Sequence, residues 1–143
     1  MYASVANMIE RFGELEMIRL SKPDDRTAET VDEAKIGVAL ADGAALIDDY
    51  LRKRYVVPVA QPPESVVRAN CVLARYDLAQ GERTEPTEQM RLARKEVIEW
   101  LQALAGGAVT IDAPAAGVGS GGAGGARTSD RGRPFSDDNL RGW

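Results

Sequence analysis

The sequence has no histidine and a single cysteine, Cys71. Without histidine, the commonest general base and the commonest metal ligand are missing. A Cys–His nucleophile cannot be assembled within this chain. One cysteine permits no internal disulfide, which fits a reducing compartment. Aromatics make up only 6% of the residues, so a core must come mostly from Ala, Val, Ile and Leu. No apolar run approaches about 18 residues, so no membrane span is expected. The start, MYASVANMIERFG, brings polar and acidic residues too early for a signal peptide.

What is present suffices for one folded domain. The chain has 143 residues, 44% of them hydrophobic. Its net charge of −4 disfavours nonspecific nucleic-acid binding. That charge is uneven. Residues 1–112 hold 14 Lys and Arg against 19 Asp and Glu, whereas residues 113–143 hold 4 Arg against 3 Asp.

Helical spacing dominates the first part. Ser4 is placed to cap VANMIERF and Gly13 to stop it, with Val5, Met8, Ile9 and Phe12 on one face. Leu15, Met17 and Ile18 form a second short apolar pattern, and SKPDDRTAE reads as a loop. Thr30 and Glu33 have capping-box spacing, which predicts a long helix to about Arg54. Its leading stripe reads as Ala34, Val38, Ala41, Ala45 and Leu46, with Ile36, Leu40, Ile47, Tyr50 and Leu51 on adjoining faces. Gly37 and Gly43 each cost roughly 1 kcal/mol relative to Ala there, and close helix contact would explain them. VVPVAQPP should run extended. Pro63 is placed at the first position of the next helix, where Val66, Val67, Asn70, Leu73, Ala74 and Asp77 recur, ending near Gly81. A last helix runs from about Pro86 to Ala105, with Met90, Ala93, Val97, Trp100, Leu101 and Leu104, and stops at Gly106-Gly107. AVTID reads as a short extended segment. The whole is an all-α fold: a small helical bundle over residues 1–112 with an extended Gly-rich C-terminal arm. The arm divides into a linker, 113–126, and a C-terminal segment, 127–143. The linker is too poor in apolar bulk to offset its ordering entropy.

Chemical motifs are weak. Gly117, Gly119 and Gly122 spell G-x-G-x-x-G, but no strand precedes them directly and no helix follows, so nucleotide binding is not implied. Asp48 and Asp49 point about 100° apart on a helix and do not converge on one ion, so they read as a solvated face. Cys71 reads as core. Arg75 and Asp77 read as partners in structural salt bridges. These features point to no catalytic, cofactor-binding or metal-binding residue, and to no enzyme.

The tip is richer. Arg127, Arg131, Arg133, Phe135, Leu140, Arg141 and Trp143 are of kinds enriched or useful at interfaces. They read as a docking peptide on a leash; the plainer alternative is a solubility tail. The 14-residue linker spans about 20 Å as a flexible coil and reaches about 45–50 Å when stretched. A nucleic-acid-binding protein with an Arg/Gly tail is the competing reading, but the tail has only isolated Arg-Gly pairs and few stacking aromatics.

Three stretches carry a resemblance: MYASVANMIERFGELEMIRLS, VALADGAALIDDYLRKRYVVPVAQPPESVVRANCVLARYDLA and WLQALAGGAVTID. Together they resemble the phage Mu-type family of small head–tail adaptor (neck) proteins, over about residues 1–112, and the Gly-rich tail, 113–143, reads as a departure from that family. The resemblance implies a structural subunit of a tailed-phage neck, repeated in a ring beneath the portal, with twelvefold symmetry. The implied partners are the portal protein, neighbouring copies and a tail-side neck or terminator protein. Genomic DNA would pass through without specific binding, which asks that acidic residues line the channel. The arm would dock on the portal or on a neighbouring subunit. No cofactor and no membrane are implied.

Overall fold

The structure is a computed structural model that describes residues 1–117. Among the described residues five helices follow one another: α1 (Val5–Phe12), α2 (Glu14–Ser21), α3 (Glu33–Leu51), α4 (Glu64–Ala79) and α5 (Glu88–Gly106). Among the described residues there is no β-strand, only one isolated bridge between Tyr55 and Ala115. The all-α reading therefore holds. AVTID forms no strand and bends at Ala108, Val109 and Asp112. No helix among the described residues is long and apolar enough to cross a membrane.

The cap chemistry explains most boundaries. Ser4 Oγ accepts from the Asn7 N–H at 3.2 Å, and Asn7 Oδ1 accepts from the Ser4 N–H at 2.8 Å. This reciprocal pair starts α1. Gly13, at φ 93°, ends α1 and its carbonyl starts α2. In α2 Met17, Ile18 and Ser21 are buried, but Leu15 is 60% exposed. An eight-residue helix has room for one narrow buried face, and Leu15 falls outside it.

The start of α3 departs from the expectation. Thr30 is taken up by the Lys22 ammonium at 3.2 Å, and Ser21 Oγ accepts from the Asp32 N–H at 3.0 Å. That bond makes Asp32 the entry residue, and its carboxylate accepts from the Lys35 N–H at 3.1 Å. Asp32 is thus the cap, and no Thr30–Glu33 box forms. Pro63 stands one position ahead of α4, its carbonyl accepting from the Val66 and Val67 N–H groups. Thr87 caps α5 through the Met90 N–H, so that helix begins two residues after Pro86. Gly107, at φ 88° in the left-handed region, ends it.

The expected stripe of α3 is also on the wrong side. Ile36, Ala39, Leu40, Gly43, Ala44, Ile47 and Leu51 face the core. Ala34, Val38, Ala41 and Ala45 face solvent, and Leu46 is half-buried. This helix is apolar on both sides, so spacing alone does not choose between them. Ile36, Leu40, Ile47 and Leu51 lie inside because they remove more apolar area from water than the alanines opposite, although Val38 stays exposed.

α4 is the spine and touches all four other helices, whereas among the described residues α5 touches only α3 and α4. Two core clusters meet along the spine. One joins Ile47, Leu51 and Tyr55 to Val66, Leu73, Leu101 and Leu104. The other joins Met8, Met17, Ile36 and Leu40 to Cys71, Ala74 and Leu78. The C-terminal half of α3 therefore meets the N-terminal half of α4, so the two run antiparallel. At their crossing, a Cβ on Gly43 would lie 2.8 Å from Asn70 Nδ2 and 3.3 Å from Leu73 Cβ. A Cβ on Gly37 would meet nothing within 4 Å. Close contact thus explains Gly43 and does not explain Gly37.

Candidate functional site

The arm leaves the body at a built anchorage. After α3 the chain turns through Arg54, whose guanidinium donates to the Leu104 carbonyl at 2.8 Å and to that of Val109 at 3.3 Å. The cation thereby sits on the carbonyl end of α5, where the helix dipole favours positive charge. Tyr55 is buried in the core, and its hydroxyl accepts from the Ile111 N–H at 3.1 Å. The backbone then pairs: the Val56 N–H donates to the Pro114 carbonyl and the Ala116 N–H to that of Arg54, both at 2.9 Å. Ala113 packs against the core cluster. The first residues of the glycine-rich segment are therefore held to the bundle, and the arm starts from a fixed place.

The N-terminus is fastened by a second device. Asn70 is fully buried on α4. Its Oδ1 accepts from the Tyr2 N–H at 3.1 Å and the Ala3 N–H at 2.9 Å, while its Nδ2 donates to the Leu40 carbonyl at 2.9 Å. One amide thus ties the chain start to both long helices. The Tyr2 hydroxyl donates to Asp48 and accepts from the Val59 N–H at 3.0 Å. Burial, reinforced by the Asp48 carboxylate, pushes the Tyr2 phenol up to about 12.

Other sequence readings divide. Asp49 is exposed and lies 3.6 Å from Arg52, as a solvated face requires. Asp48 is half-buried and serves Tyr2, so the solvated-face reading fails for it. Cys71 is fully buried, as expected of a core cysteine, and burial pushes its thiol up to about 11. Arg75 pairs with Glu16 at 2.6 Å and lies over the Phe12 ring. Asp77 makes no ion pair among the described residues. Burial raises its carboxyl, Arg94 opposes that rise and Asp42 adds to it. No group of three metal-ligating side chains lies together among the described residues. Trp100 is half-buried and lines a groove between α4 and α5 with Ala69, Val72, Ala93 and Val97.

The candidate docking residues Arg127, Arg131, Arg133, Phe135, Leu140, Arg141 and Trp143 lie outside the described residues, as do Gly119 and Gly122 of the G-x-G-x-x-G match. The anchorage at Arg54 and Tyr55 and the tie at Asn70 were not read as such from sequence. Asn70 carried a signal, being polar within an apolar helical pattern; Tyr55 carried none.

A family model described as "Bacteriophage Mu, Gp36" matches residues 2–129. The chain belongs to that family. Two relatives define its surroundings. The "Mu-like prophage FluMu protein gp36" of Haemophilus influenzae is 38% identical over 84 residues, which is 59% of this chain and 57% of that protein. "Gene product J" of Escherichia phage Mu is 32% identical over 101 residues, 71% of this chain and 69% of that protein. The match thus spans less than two thirds of the Haemophilus relative. For this Gp36-family chain, the family match runs past residue 112 and through the whole glycine-rich linker, 113–126. It takes in the N-terminal tie, the anchorage and Arg127, and stops before Arg131.

Proposed function

We propose that this chain is a structural, non-enzymatic head–tail adaptor of a Mu-like phage. In this reading several copies form a ring below the portal and join the capsid to the tail. The protein works at the virion neck after synthesis in the bacterial cytoplasm. The observation that carries the reading is the family match over the body and the glycine-rich linker. The anchored root of the arm supports it. A docking peptide is useful only if its leash starts at a defined point, and the Arg54–Val56 pairing supplies one. The net charge of −4 is compatible with a channel through which DNA moves without adhering. Many copies would make individually weak hooks sufficient, because linked sites act at high effective concentration. The partners in this reading are the portal, neighbouring copies and a tail-side neck or terminator protein.

The test mixes the protein with the portal ring of its own phage and follows co-elution and mass by size exclusion. Full-length protein is compared with a chain ending at Gly117, which keeps the Pro114–Ala116 anchorage. Co-elution of the full-length chain alone is the expected result and assigns docking to residues 118–143. Equal co-elution of both keeps the adaptor and removes the docking role from the arm. Failure of both refutes portal attachment. Tight, salt-dependent DNA binding by the full-length chain, with no portal binding, would favour a nucleic-acid-binding protein instead.

A further inference from the structure

The stretch that follows α5 is held differently from the rest of the body. Ala108 and Val109 still belong to the helix end, since their N–H groups donate to the Ala103 carbonyl at 3.0 and 3.3 Å. Arg54 covers the same end through the Leu104 and Val109 carbonyls. From Thr110 to Gly117 no residue is buried. Among the described residues three hydrogen bonds tie this segment to the bundle. The Ile111 N–H donates to the Tyr55 hydroxyl, the Val56 N–H to the Pro114 carbonyl and the Ala116 N–H to the Arg54 carbonyl. Ile111 and Ala113, both half-buried, pack on the core cluster.

Releasing these ties strands no polar group. Val56 and Pro114 are exposed, and Arg54 and Ala116 are half-buried, so the freed backbone groups meet water. The Tyr55 ring stays in the cluster with Leu51, Leu101 and Leu104, and its hydroxyl exchanges Ile111 for water. The cap of α5 also stays, because its bonds run among Arg54, Ala103, Leu104 and Val109 and not through the segment beyond. A segment with exposed hydrogen bonds and few buried apolar contacts opens locally, at far lower free energy than a packed helix. Ile47 on α3 and Leu73 on α4 are the opposite case, both buried in the same cluster.

We infer that residues 110–117 are a strap that unlatches from Arg54–Val56 as one unit while the five helices stay folded. The three ties fall within residues 111–116 and share one short turn of the bundle, so they open together. Closed, the arm starts at Gly117 beside residues 54–56. Open, it starts at Val109, and the released segment adds about 25–30 Å of reach when stretched. The strap thereby gives a docking arm slack. That role rests on the adaptor reading above; the unlatching does not.

The experiment is native-state hydrogen exchange by NMR on the full-length chain, across a series of low urea concentrations. The Val56, Ile111 and Ala116 amides report from both sides of the latch. The expected result is one shared protection factor for the three, about a hundredfold or more below those of Ile47 and Leu73 and nearly insensitive to urea. Tyr55→Phe removes one tie and keeps the ring. It should speed all three amides together, by about three- to tenfold. Acceleration of Ile111 alone would show independent fraying and overturn the inference. Protection equal to that of Ile47 and Leu73, with the same urea slope, would overturn it too, because the strap would then open only with the whole bundle. So would the absence of protection at all three, since no latch would form. Portal co-elution is read in parallel. Joint opening without portal binding keeps the strap and sinks its role as slack. Portal binding without joint opening sinks the strap and leaves the adaptor standing.

Discussion

Gly37 and Gly43 lie in the same helix, yet the same substitution should move stability in opposite directions at the two sites. At either position alanine gains about 0.5–1 kcal/mol, because glycine is a poor helix former and leaves the unfolded chain freer. At Gly37 nothing opposes that gain, since the new Cβ meets no atom within 4 Å. At Gly43 the Cβ falls 2.8 Å from Asn70 Nδ2 and 3.3 Å from Leu73 Cβ. Asn70 cannot swing aside without releasing the Leu40 carbonyl and the Tyr2 and Ala3 N–H groups. Overpacking of this kind costs about 1–3 kcal/mol. The propensity gain is common to both variants, so their difference isolates the packing cost. With a urea m-value of about 1–1.5 kcal/mol/M, the midpoints should separate by about 0.7–3 M. Urea unfolding followed by far-UV circular dichroism measures this directly. Coincident midpoints would refute the close crossing of α3 and α4 at Gly43.

Asn70→Ala should cost about 2–5 kcal/mol, because it strands two buried backbone donors. Hydrogen exchange at the Tyr2 and Ala3 amides should accelerate in step with the lower urea midpoint. Asp77→Asn should raise Tm at neutral pH. The folded-state carboxyl is raised by burial, so it favours folding below its unfolded pKa and loses that contribution as pH rises through the folded value. Asparagine has no charged form to bury, so the gap over wild type should close below about pH 4, which thermal melts across a pH series will check. Arg54→Ala should cost about 1–2 kcal/mol by uncovering the last carbonyls of α5. It should also speed exchange at the Ala116 amide while leaving Tyr2 unchanged.

The helices and their ends were largely legible because caps are local chemistry. Ser4, Gly13 and Gly107 each act within a few residues of their own position, so spacing reveals them. The Thr30–Glu33 box failed for a non-local reason: Ser21, at the end of the preceding helix, claims the Asp32 N–H. The wrong stripe on α3 has a different origin. Ala34, Val38, Ala41 and Ala45 repeat at helical spacing as well as the true core face does, and only the partner helix decides between them. Asn70 was visible as a polar residue in an apolar pattern, but its partners Tyr2, Ala3 and Leu40 are 30 to 68 positions away. The arm's root could not be read, because it depends on pairing Arg54 and Val56 with Pro114 and Ala116, about sixty positions away, and the Ala/Pro segment has no strand character of its own.

That root also fixes how the molecule would carry a load. Tension applied to the chain beyond Gly117 is met first by the two backbone hydrogen bonds between residues 54–56 and 114–116. Behind them stand the Tyr55 ring in the core and the Arg54 guanidinium on the end of α5. The force therefore passes into the C-terminal end of α3, the longest seam with α4, before it can peel α5 open from Gly107. A pull on the arm becomes a pull on the bundle's centre.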